Sequence, residues 1–271
     1  MDRSAPRENP SDAPIGILVA LREEYRAIEP LLQQRRHRRN GSLRYVEATL
    51  RGHPIVLTRT GIGKTTAERK TTDFLRLVSP RCLVATGFAG GLRDDVRCGD
   101  VVLAEEVTEA PRLTFPLTNP LEAVGRWRAA TNLLAAADTL PSTDTQRVYR
   151  GRLLTVENVL AEPEQKQAAG ATFSAAAVDM ESSAVARVAE AAGIPTLCAR
   201  AVLDEVQDRL PFDFGKILTP EGRVRPLRAL VAVASRPTSL REIDALRRRA
   251  RRAAASIAAF LPELIDAMTQ R

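Results

Sequence analysis

Aromatic residues are scarce in this chain: Phe, Trp and Tyr make up 4% of its 271 residues. Single-stranded nucleic acids are bound on stacking platforms of aromatic side chains, and 4% is too few for such a platform. The net charge of +7 is the one feature that favours a nucleic-acid-binding module. The basic excess is mostly arginine and is spread along the chain. We therefore attribute the charge to a solvated surface and expect no nucleic-acid partner.

Cysteine and long apolar runs are also lacking. The three cysteines, Cys82, Cys98 and Cys198, fall in or near apolar runs and have no metal-ligand spacing. They are expected to be core thiols in a reducing cytoplasm, without a disulfide or a metal. No run approaches the length of a membrane span, and the N-terminus has no apolar secretory core. The sequence thus predicts a cytoplasmic protein.

The composition allows one large domain with an appendage. Hydrophobic residues make up 44% of the chain, enough for a sizeable core. Residues 1–13 are polar and contain proline, so we predict a flexible tail. Residues 14–208 are predicted to form the main domain, and residues 209–271 a C-terminal helical extension that packs on it.

Strand-like and helix-like segments alternate through the main domain. Short apolar runs indicate buried strands, and amphipathic runs between them indicate helices. Such alternation predicts an α/β fold with a parallel or mixed sheet covered by helices on both faces. Residues 121–134 are amphipathic. Strands are predicted at 15–21, 43–50, 54–60, 82–86, 100–107, 151–159 and 196–203, and helices at 23–32, 61–77 and 183–192.

The C-terminal segment has a different character. From Leu240 to Met268 apolar residues recur every three or four positions, which predicts a long amphipathic helix. An arginine cluster at 247–252 lies off the apolar stripe. We favour packing of this helix on the core or on a partner subunit, and contact with a membrane surface is the alternative.

Two pairs of charged residues carry the strongest functional signal. Asp179 and Glu181 follow an apolar run and precede a helix of small residues. Arg200 and Asp204 lie at the end of the next strand. Ligands of open α/β sheets bind at the carboxyl ends of the strands. Acids at this edge suit a ligand with hydroxyl groups and a protonatable nitrogen.

Two glycine clusters resemble phosphate-binding motifs only in part. Gly63-Lys64-Thr65 looks like the end of a P-loop, but Thr58 stands where the first glycine is required. The run from Thr86 to Gly91 lacks the dinucleotide-binding spacing. A glycine-rich turn after a strand still admits close approach of a ribose, a phosphate or a base.

Taken together, these blocks resemble the purine nucleoside phosphorylase and methylthioadenosine nucleosidase superfamily over residues 14–208. The resemblance implies a three-layer α/β/α fold with a central mixed sheet. It also implies cleavage of the N-glycosidic bond of a nucleoside, a homodimer, and no cofactor other than phosphate as a possible co-substrate. The matching blocks are Gly16 to Glu24, Thr60 to Lys64, Thr86 to Leu92, Gly99 to Val102, Val178 to Glu181 and Arg200 to Asp204.

The resemblance also implies roles for individual residues. Asp204 matches the acid that protonates or hydrogen-bonds the purine N7 atom as the base leaves, and Glu24 matches the residue that activates water. Glu181 matches the carboxylate that binds the ribose hydroxyls, and Met180 matches the residue along the sugar. Arg200 matches an arginine that supports the site of the nucleophile. The further residues expected to line the substrate are Asp179, Gly87, Phe88, Ala89, Gly90, Val159 and Ile62.

The chain departs from the methylthioadenosine nucleosidases at three positions. Phe88 replaces a small hydroxyl residue, Leu203 replaces a serine, and Val159 stands where an aromatic residue would stack on the base. Each change makes the pocket more apolar. A catalytically inactive nucleoside-binding or sensor protein is therefore the alternative to an enzyme.

A closer similarity is to the hopanoid-associated phosphorylases. The shared features are Leu153 to Val156, the block Asp179 to Ser182 and the arginine-rich extension. This similarity favours phosphorolysis, while Glu24 favours hydrolysis. Arg22, Arg59 and Arg200 are candidates for phosphate contacts. The expected substrate is an adenosine-like, 5′-substituted nucleoside, and its 5′ substituent stays open.

Overall fold

A computed structural model of the chain describes residues 13–117, 121–143, 146–210 and 240–269. The predicted tail at 1–13 lies outside the described residues except for Ala13. Residues 211–239, the first part of the predicted extension, also lie outside them.

The described residues form ten strands and six α-helices in an alternating order. The strands are β1 (Ile15–Val19), β2 (Gln33–Asn40), β3 (Leu43–Leu50), β4 (His53–Arg59), β5 (Cys82–Gly91), β6 (Val101–Glu109), β7 (Gly125–Arg128), β8 (Val148–Thr155), β9 (Ala177–Asp179) and β10 (Thr196–Asp204). The helices are α1 (Arg22–Ile28), α2 (Lys64–Leu77), α3 (Thr131–Ala137), α4 (Pro163–Phe173), α5 (Ser182–Ala191) and α6 (Leu240–Thr269), with a 3-10 turn at Glu29–Leu31 after α1.

All ten strands belong to one mixed sheet. Its order is β10-β6-β8-β9-β5-β1-β4-β3-β2, and β7 pairs with β6. The pairs of β1 with β4 and β5, and of β5 with β10, are parallel. Strands β2, β3 and β4 form an antiparallel meander at one edge.

Half of the sheet closes on itself. Strand β10 pairs with β6 on one side and with β5 on the other, so β5, β9, β8, β6 and β10 form a ring. The register sets Arg200 opposite Gly87 and Asp204 opposite Gly90. It also sets Thr155 opposite Asp179. This closure brings the ends of distant strands together.

Helices cover both faces of the sheet. Alternate residues of β1 point to opposite sides: Ile15, Ile17 and Val19 join a core with α1, α3 and α6, whereas Leu18 joins one with α2 and α5. A third apolar cluster, which includes residues of α4, lies at the ends of β8 and β9. The architecture is the predicted three-layer α/β/α fold with a mixed sheet.

The C-terminal helix α6 packs on the core, as its apolar stripe predicts. Its side chains at 253, 257, 260, 261, 264 and 265 are buried in the cluster with α1 and α3. Arg51 ties it to the meander through Glu263 and Asp266, at 2.5 Å each. In the part of the chain that the structure describes, no helix has the length and apolar character needed to cross a membrane.

The structure differs from the sequence-based prediction at several elements. The short strand β9 is absent from the predicted strands. Strand β2 was not predicted, because its residues are polar and every one of them is exposed. Strand β5 extends through Gly87 to Gly91, so this glycine-rich segment is strand and not a turn. Residues 121–134 divide between β7 and the start of α3. Helix α4 was missed.

The three cysteines are free and buried. Burial raises the pKa of the Cys82, Cys98 and Cys198 thiols to about 11. These side chains therefore stay in the protonated, weakly nucleophilic thiol form near neutral pH.

Candidate active site

The predicted polar residues gather at the carboxyl ends of the central strands. Glu24 follows β1, Gly63 follows β4, Asp179 ends β9, and Arg200 and Asp204 lie in β10. Each of the four charged residues is buried. Their positions match the edge at which ligands of α/β sheets bind.

Glu24 is held by backbone N–H groups from two strand ends. Its Oε2 atom accepts hydrogen bonds from Ala20 N and Leu21 N, and its Oε1 atom accepts one from Phe88 N, all at 2.8 Å. Burial raises the pKa of this carboxyl, while Arg200 and the three N–H groups oppose the rise. A carboxylate with a raised pKa is a better proton acceptor near neutral pH.

Arg200 and Asp179 form a buried ion pair. Arg200 Nη2 lies 2.7 Å from Asp179 Oδ2, and both side chains are almost fully enclosed. Asp179 also accepts hydrogen bonds from Thr155 Oγ1 and Ser182 N, at 2.7 and 3.0 Å. These partners contact both oxygens of Asp179, so this carboxylate orients Arg200 and the start of α5.

One N–H of Arg200 remains for a ligand. Nε and Nη2 donate to Ser182 Oγ, and Nη1 donates to the Thr86 carbonyl. A guanidinium group carries five N–H donors, so the second hydrogen of Nη1 has no protein acceptor among the described residues. A Cβ at Gly87 would lie 2.6 Å from both this Nη1 atom and Glu24 Oε1. Arg200 and Glu24 thus converge over a residue without a side chain.

Glu181 has one oxygen fixed and one available. Oε1 accepts a hydrogen bond from Gly63 N at 2.8 Å. No hydrogen bond from the described residues reaches Oε2. The pKa of Glu181 is raised to about 8, mainly by burial and also by the Asp179 carboxylate, while Arg200 and the Gly63 N–H oppose the rise. The available oxygen suits a hydroxyl group of a ligand.

Asp204 is arranged in the same way. Its Oδ2 atom accepts a hydrogen bond from Lys166 Nζ, and no described residue donates to Oδ1. Burial raises the pKa of Asp204, while the charge and the hydrogen bond of Lys166 lower it. The carboxylate lies beside Gly90, where a Cβ would come within 3.3 Å of Oδ2.

The other predicted site residues lie on the surrounding segments. Ile62 precedes Gly63, and Ala89 lies in β5 next to Gly90. Met180 packs on the third apolar cluster, and half-buried Val159 lies in the segment between β8 and α4. The backbone and the side chain of Phe88 have different contacts. Its N–H donates to Glu24, while its side chain packs on the core that includes α6.

Sequence reasoning missed several residues that hold the site together. Thr155, Ser182 and the Thr86 carbonyl bind the Arg200–Asp179 pair, and Lys166 binds Asp204. Lys166 had a signal in the sequence. It shares one helical face with the buried residues Ala169, Gly170 and Phe173, where a lysine is out of place unless it is paired.

The arginines proposed for phosphate contact separate into two places. Arg200 is buried in the ion pair with Asp179. Arg22 and Arg59 line a cleft of about 520 Å³ between α1 and the meander, together with Arg26 and Arg44. Among the described residues, no three His, Cys, Asp or Glu side chains are grouped so as to hold a metal ion.

Comparison with known proteins decides the family. The sequence profile of the phosphorylase superfamily matches residues 14–260 of the chain. The chain belongs to the phosphorylase superfamily. This membership confirms the family predicted from the sequence blocks, and with it the prediction of an enzyme of that superfamily.

Several nucleosidases and a hydrolase are similar to this chain along most of its length. A 5′-methylthioadenosine/S-adenosylhomocysteine nucleosidase of Shewanella baltica is 26% identical over 214 residues, which is 77% of this chain and 91% of the relative. The futalosine hydrolase of Helicobacter pylori has the same fold, with a TM-score of 0.72, 19% identity and coverage of 95% of this chain and 99% of that one. The Colwellia psychrerythraea 5′-methylthioadenosine/S-adenosylhomocysteine nucleosidase, in complex with adenine, has a TM-score of 0.73, 18% identity and coverage of 95% and 96%.

The comparisons confirm the family and the fold class. The hopanoid-associated subtype, the homodimer, the cytoplasmic location and the boundary at residue 208 stay predictions.

Proposed function

We propose that this phosphorylase-superfamily protein is a nucleosidase that hydrolyses the N-glycosidic bond of an adenosine-like, 5′-substituted nucleoside and releases the purine base. The observation that carries the proposal is the convergence of Glu24 and Arg200 over Gly87. Glu181 interacts electrostatically with both of these residues, and Asp204 lies further along β5, beside Gly90. Each of the two has one carboxylate oxygen that no described residue binds. The names of the similar proteins, nucleosidases and a hydrolase, agree with hydrolysis.

The nucleophile is activated at Glu24. A water molecule that donates to Glu24 Oε1 and accepts from Arg200 Nη1 would have its oxygen directed toward the sugar. Glu24 takes the proton as the oxygen bonds to C1′. The raised pKa of Glu24 makes this transfer easier than at an exposed carboxylate.

The sugar is bound at Glu181. Its available oxygen accepts hydrogen bonds from ribose hydroxyls, and Met180 lies along the sugar. As the glycosidic bond breaks, the ribose becomes positively charged, and the nearby carboxylate groups stabilise that charge.

The base departs at Asp204. Its carboxylic acid gives a proton to N7 while the electron pair of the C1′–N9 bond moves to the base. Solvent returns the proton to Asp204, and Glu24 releases the proton taken from water. Atoms and charge therefore balance for nucleoside and water giving free base and ribosyl product.

Phosphorolysis is the second candidate. It is favoured by the remaining N–H of Arg200 Nη1, which can donate to a phosphate oxygen as well as to a water molecule. In that case phosphate, not water, attacks C1′ and Glu24 is no longer needed as a base.

Product analysis separates these readings. The protein is incubated with adenosine, 5′-methylthioadenosine and adenosines with longer 5′ substituents, with and without phosphate. Adenine release without phosphate, together with a free reducing sugar, supports hydrolysis. Release that requires phosphate selects phosphorolysis. Binding of nucleosides without release from any of them identifies a sensor protein and contradicts the proposal.

A further inference from the structure

Lys166 is buried directly behind Asp204. The Lys166 side chain is 0% exposed and that of Asp204 is 4% exposed. Lys166 lies on helix α4, which is remote in sequence from strand β10. Its Nζ atom donates to Asp204 Oδ2, to the Glu205 carbonyl at 2.9 Å and to the Asp208 carbonyl at 2.8 Å.

These three contacts use the whole donor capacity of the ammonium group. A lysine ammonium has three N–H donors and no acceptor. Lys166 therefore has no hydrogen left for a base or a sugar. Any effect of Lys166 on a nucleoside must act through Asp204 and the segment 205–208.

Burying a lysine is costly unless its charge is compensated. An apolar residue at position 166 would continue the stripe of Ala169, Gly170 and Phe173 at no such cost. Helix α4 instead directs a charged group at one oxygen of one carboxylate. The contact fixes Oδ2 and leaves Oδ1 as the oxygen that a ligand can reach.

We propose that Lys166 is a positioning residue for Asp204: by holding Oδ2 it orients the carboxyl group so that Oδ1 faces the departing base and passes its proton to it. The proposal rests on the proposed function, in which Asp204 is the acid. In the step itself the proton passes from Asp204 to N7, the C1′–N9 bond breaks, and Asp204 is left as a carboxylate beside the Lys166 ammonium. Lys166 keeps all its protons throughout.

The electrostatics have a definite sign. Burial raises the pKa of Asp204, and Lys166 lowers it. Without the ammonium, the acid stays protonated to higher pH but transfers its proton less readily. Loss of Lys166 is thus expected to reduce kcat. It should also shift the alkaline limb of the profile of kcat/KM against pH to higher pH.

The test compares Lys166→Met with a matched variant, Lys70→Met. Lys70 is also buried, but its Nζ atom donates to Ser42 O and Ser42 Oγ and not to Asp204. Both variants replace a buried lysine by methionine, so they differ only in which contacts of the lysine are lost. For Lys166→Met we expect kcat to fall about tenfold or more, KM to change less, and the alkaline limb of kcat/KM to rise by about one pH unit. Lys70→Met is expected to lower the melting temperature without moving the limb.

A double variant shows whether the effect passes through Asp204. In an Asp204→Asn background, Lys166→Met should have little further effect on kcat, because the acid is already absent. Lys166→Ala, assayed with and without ethylamine, serves if the Met variant folds poorly. A small amine in the vacated space is expected to restore both kcat and the position of the limb.

Two failures are distinguishable. An active wild type whose pH limb is unchanged in Lys166→Met, or in Lys166→Ala with and without the amine, overturns the role of Lys166 and leaves the proposed function intact. A folded wild type that releases base from no nucleoside contradicts the proposed function itself, and with it the role of Lys166.

Discussion

Arg200 and Asp179 face each other in the protein interior, with 2.7 Å between Nη2 and Oδ2. Their side chains are 2% and 1% exposed. The pair joins β10 to the end of β9, and Thr155, Ser182 and Thr86 complete its hydrogen bonds. Through the Thr86 carbonyl, the pair also contacts β5 directly before Gly87.

Asp179→Ala is expected to destabilise the fold strongly. The change leaves the Arg200 charge buried without its partner, which costs about 3–5 kcal/mol. Urea unfolding measures the loss. Glu68→Ala is the matched control, because Glu68 pairs with Arg187 at 2.9 Å but both side chains are more than 40% exposed. That change should cost less than about 1 kcal/mol, and equal losses in the two variants would contradict the argument.

Gly87→Ala is expected to disrupt the site. The φ angle of Gly87 is +149°, and a Cβ would lie 2.6 Å from Arg200 Nη1 and Glu24 Oε1. Gly52→Ala is the comparison, since Gly52 also has a positive φ, +84°, but nothing within 4 Å of a Cβ. Gly52→Ala should cost about 1 kcal/mol from backbone strain alone. Gly87→Ala should unfold at a clearly lower urea concentration and release base at least tenfold more slowly than Gly52→Ala; similar behaviour would show that the space over Gly87 is not restricted.

Asp204→Asn is expected to abolish base release while the protein stays folded. An amide keeps the shape of the side chain but has no acidic proton for N7, and loss of a general acid costs about 10²–10⁴-fold in rate. Adenine release is followed by absorbance, and circular dichroism checks the fold. Turnover at the wild-type rate would exclude Asp204 as the acid.

Glu24→Gln distinguishes the two nucleophiles. If Glu24 activates water, kcat should fall about 10²-fold or more. If phosphate attacks, the loss should be small at saturating phosphate. Because both oxygens of Glu24 accept backbone N–H groups, the amide also leaves a donor facing a donor, which costs about 1–3 kcal/mol of stability. Thermal unfolding of the same preparation separates that cost from the change in rate.

Glu181 is expected to make stability depend on pH. Its pKa in the folded protein is about 8, raised by burial from 4.5. The folded state therefore keeps a proton that the unfolded chain loses, so this contribution is complete below pH 4.5 and is lost as pH rises through about 8. Glu181→Gln removes the contribution. The melting temperature of the wild type relative to Glu181→Gln should fall by several degrees between pH 5 and pH 8, since one pKa unit corresponds to about 1.4 kcal/mol. A constant difference over this range would rule out the shift.

The parts of the fold that depend on short-range residue patterns could be predicted from the sequence. Buried strands such as β1 and β10 are short apolar runs, and α6 repeats its apolar residues at helical spacing. The acids at the ends of β9 and β10 follow such runs directly, so their edge of the sheet could be predicted. The roles expected for these acids came from the resemblance of the surrounding sequence blocks to the superfamily.

Other features depend on contacts that no local pattern contains. Strand β2 is exposed along its whole length and is a strand because it pairs with β3. The Gly87–Gly91 segment is strand because β10 pairs beside it. Lys166 meets Asp204, 38 residues further along the sequence, only when the fold brings α4 to the carboxyl end of β10. Such partners emerge from tertiary packing.

The segment that follows β10 is bound by residues of two different helices, α4 and α6. Lys166 of α4 binds the Asp208 carbonyl, and Arg249 of α6 binds the Asp208 carboxylate. Residues of α6 near the C-terminus therefore help to hold the segment that follows Asp204 in place. Any shortened version of this protein meant to keep a rigid Asp204 has to retain α6, even though strand β10 already completes the sheet.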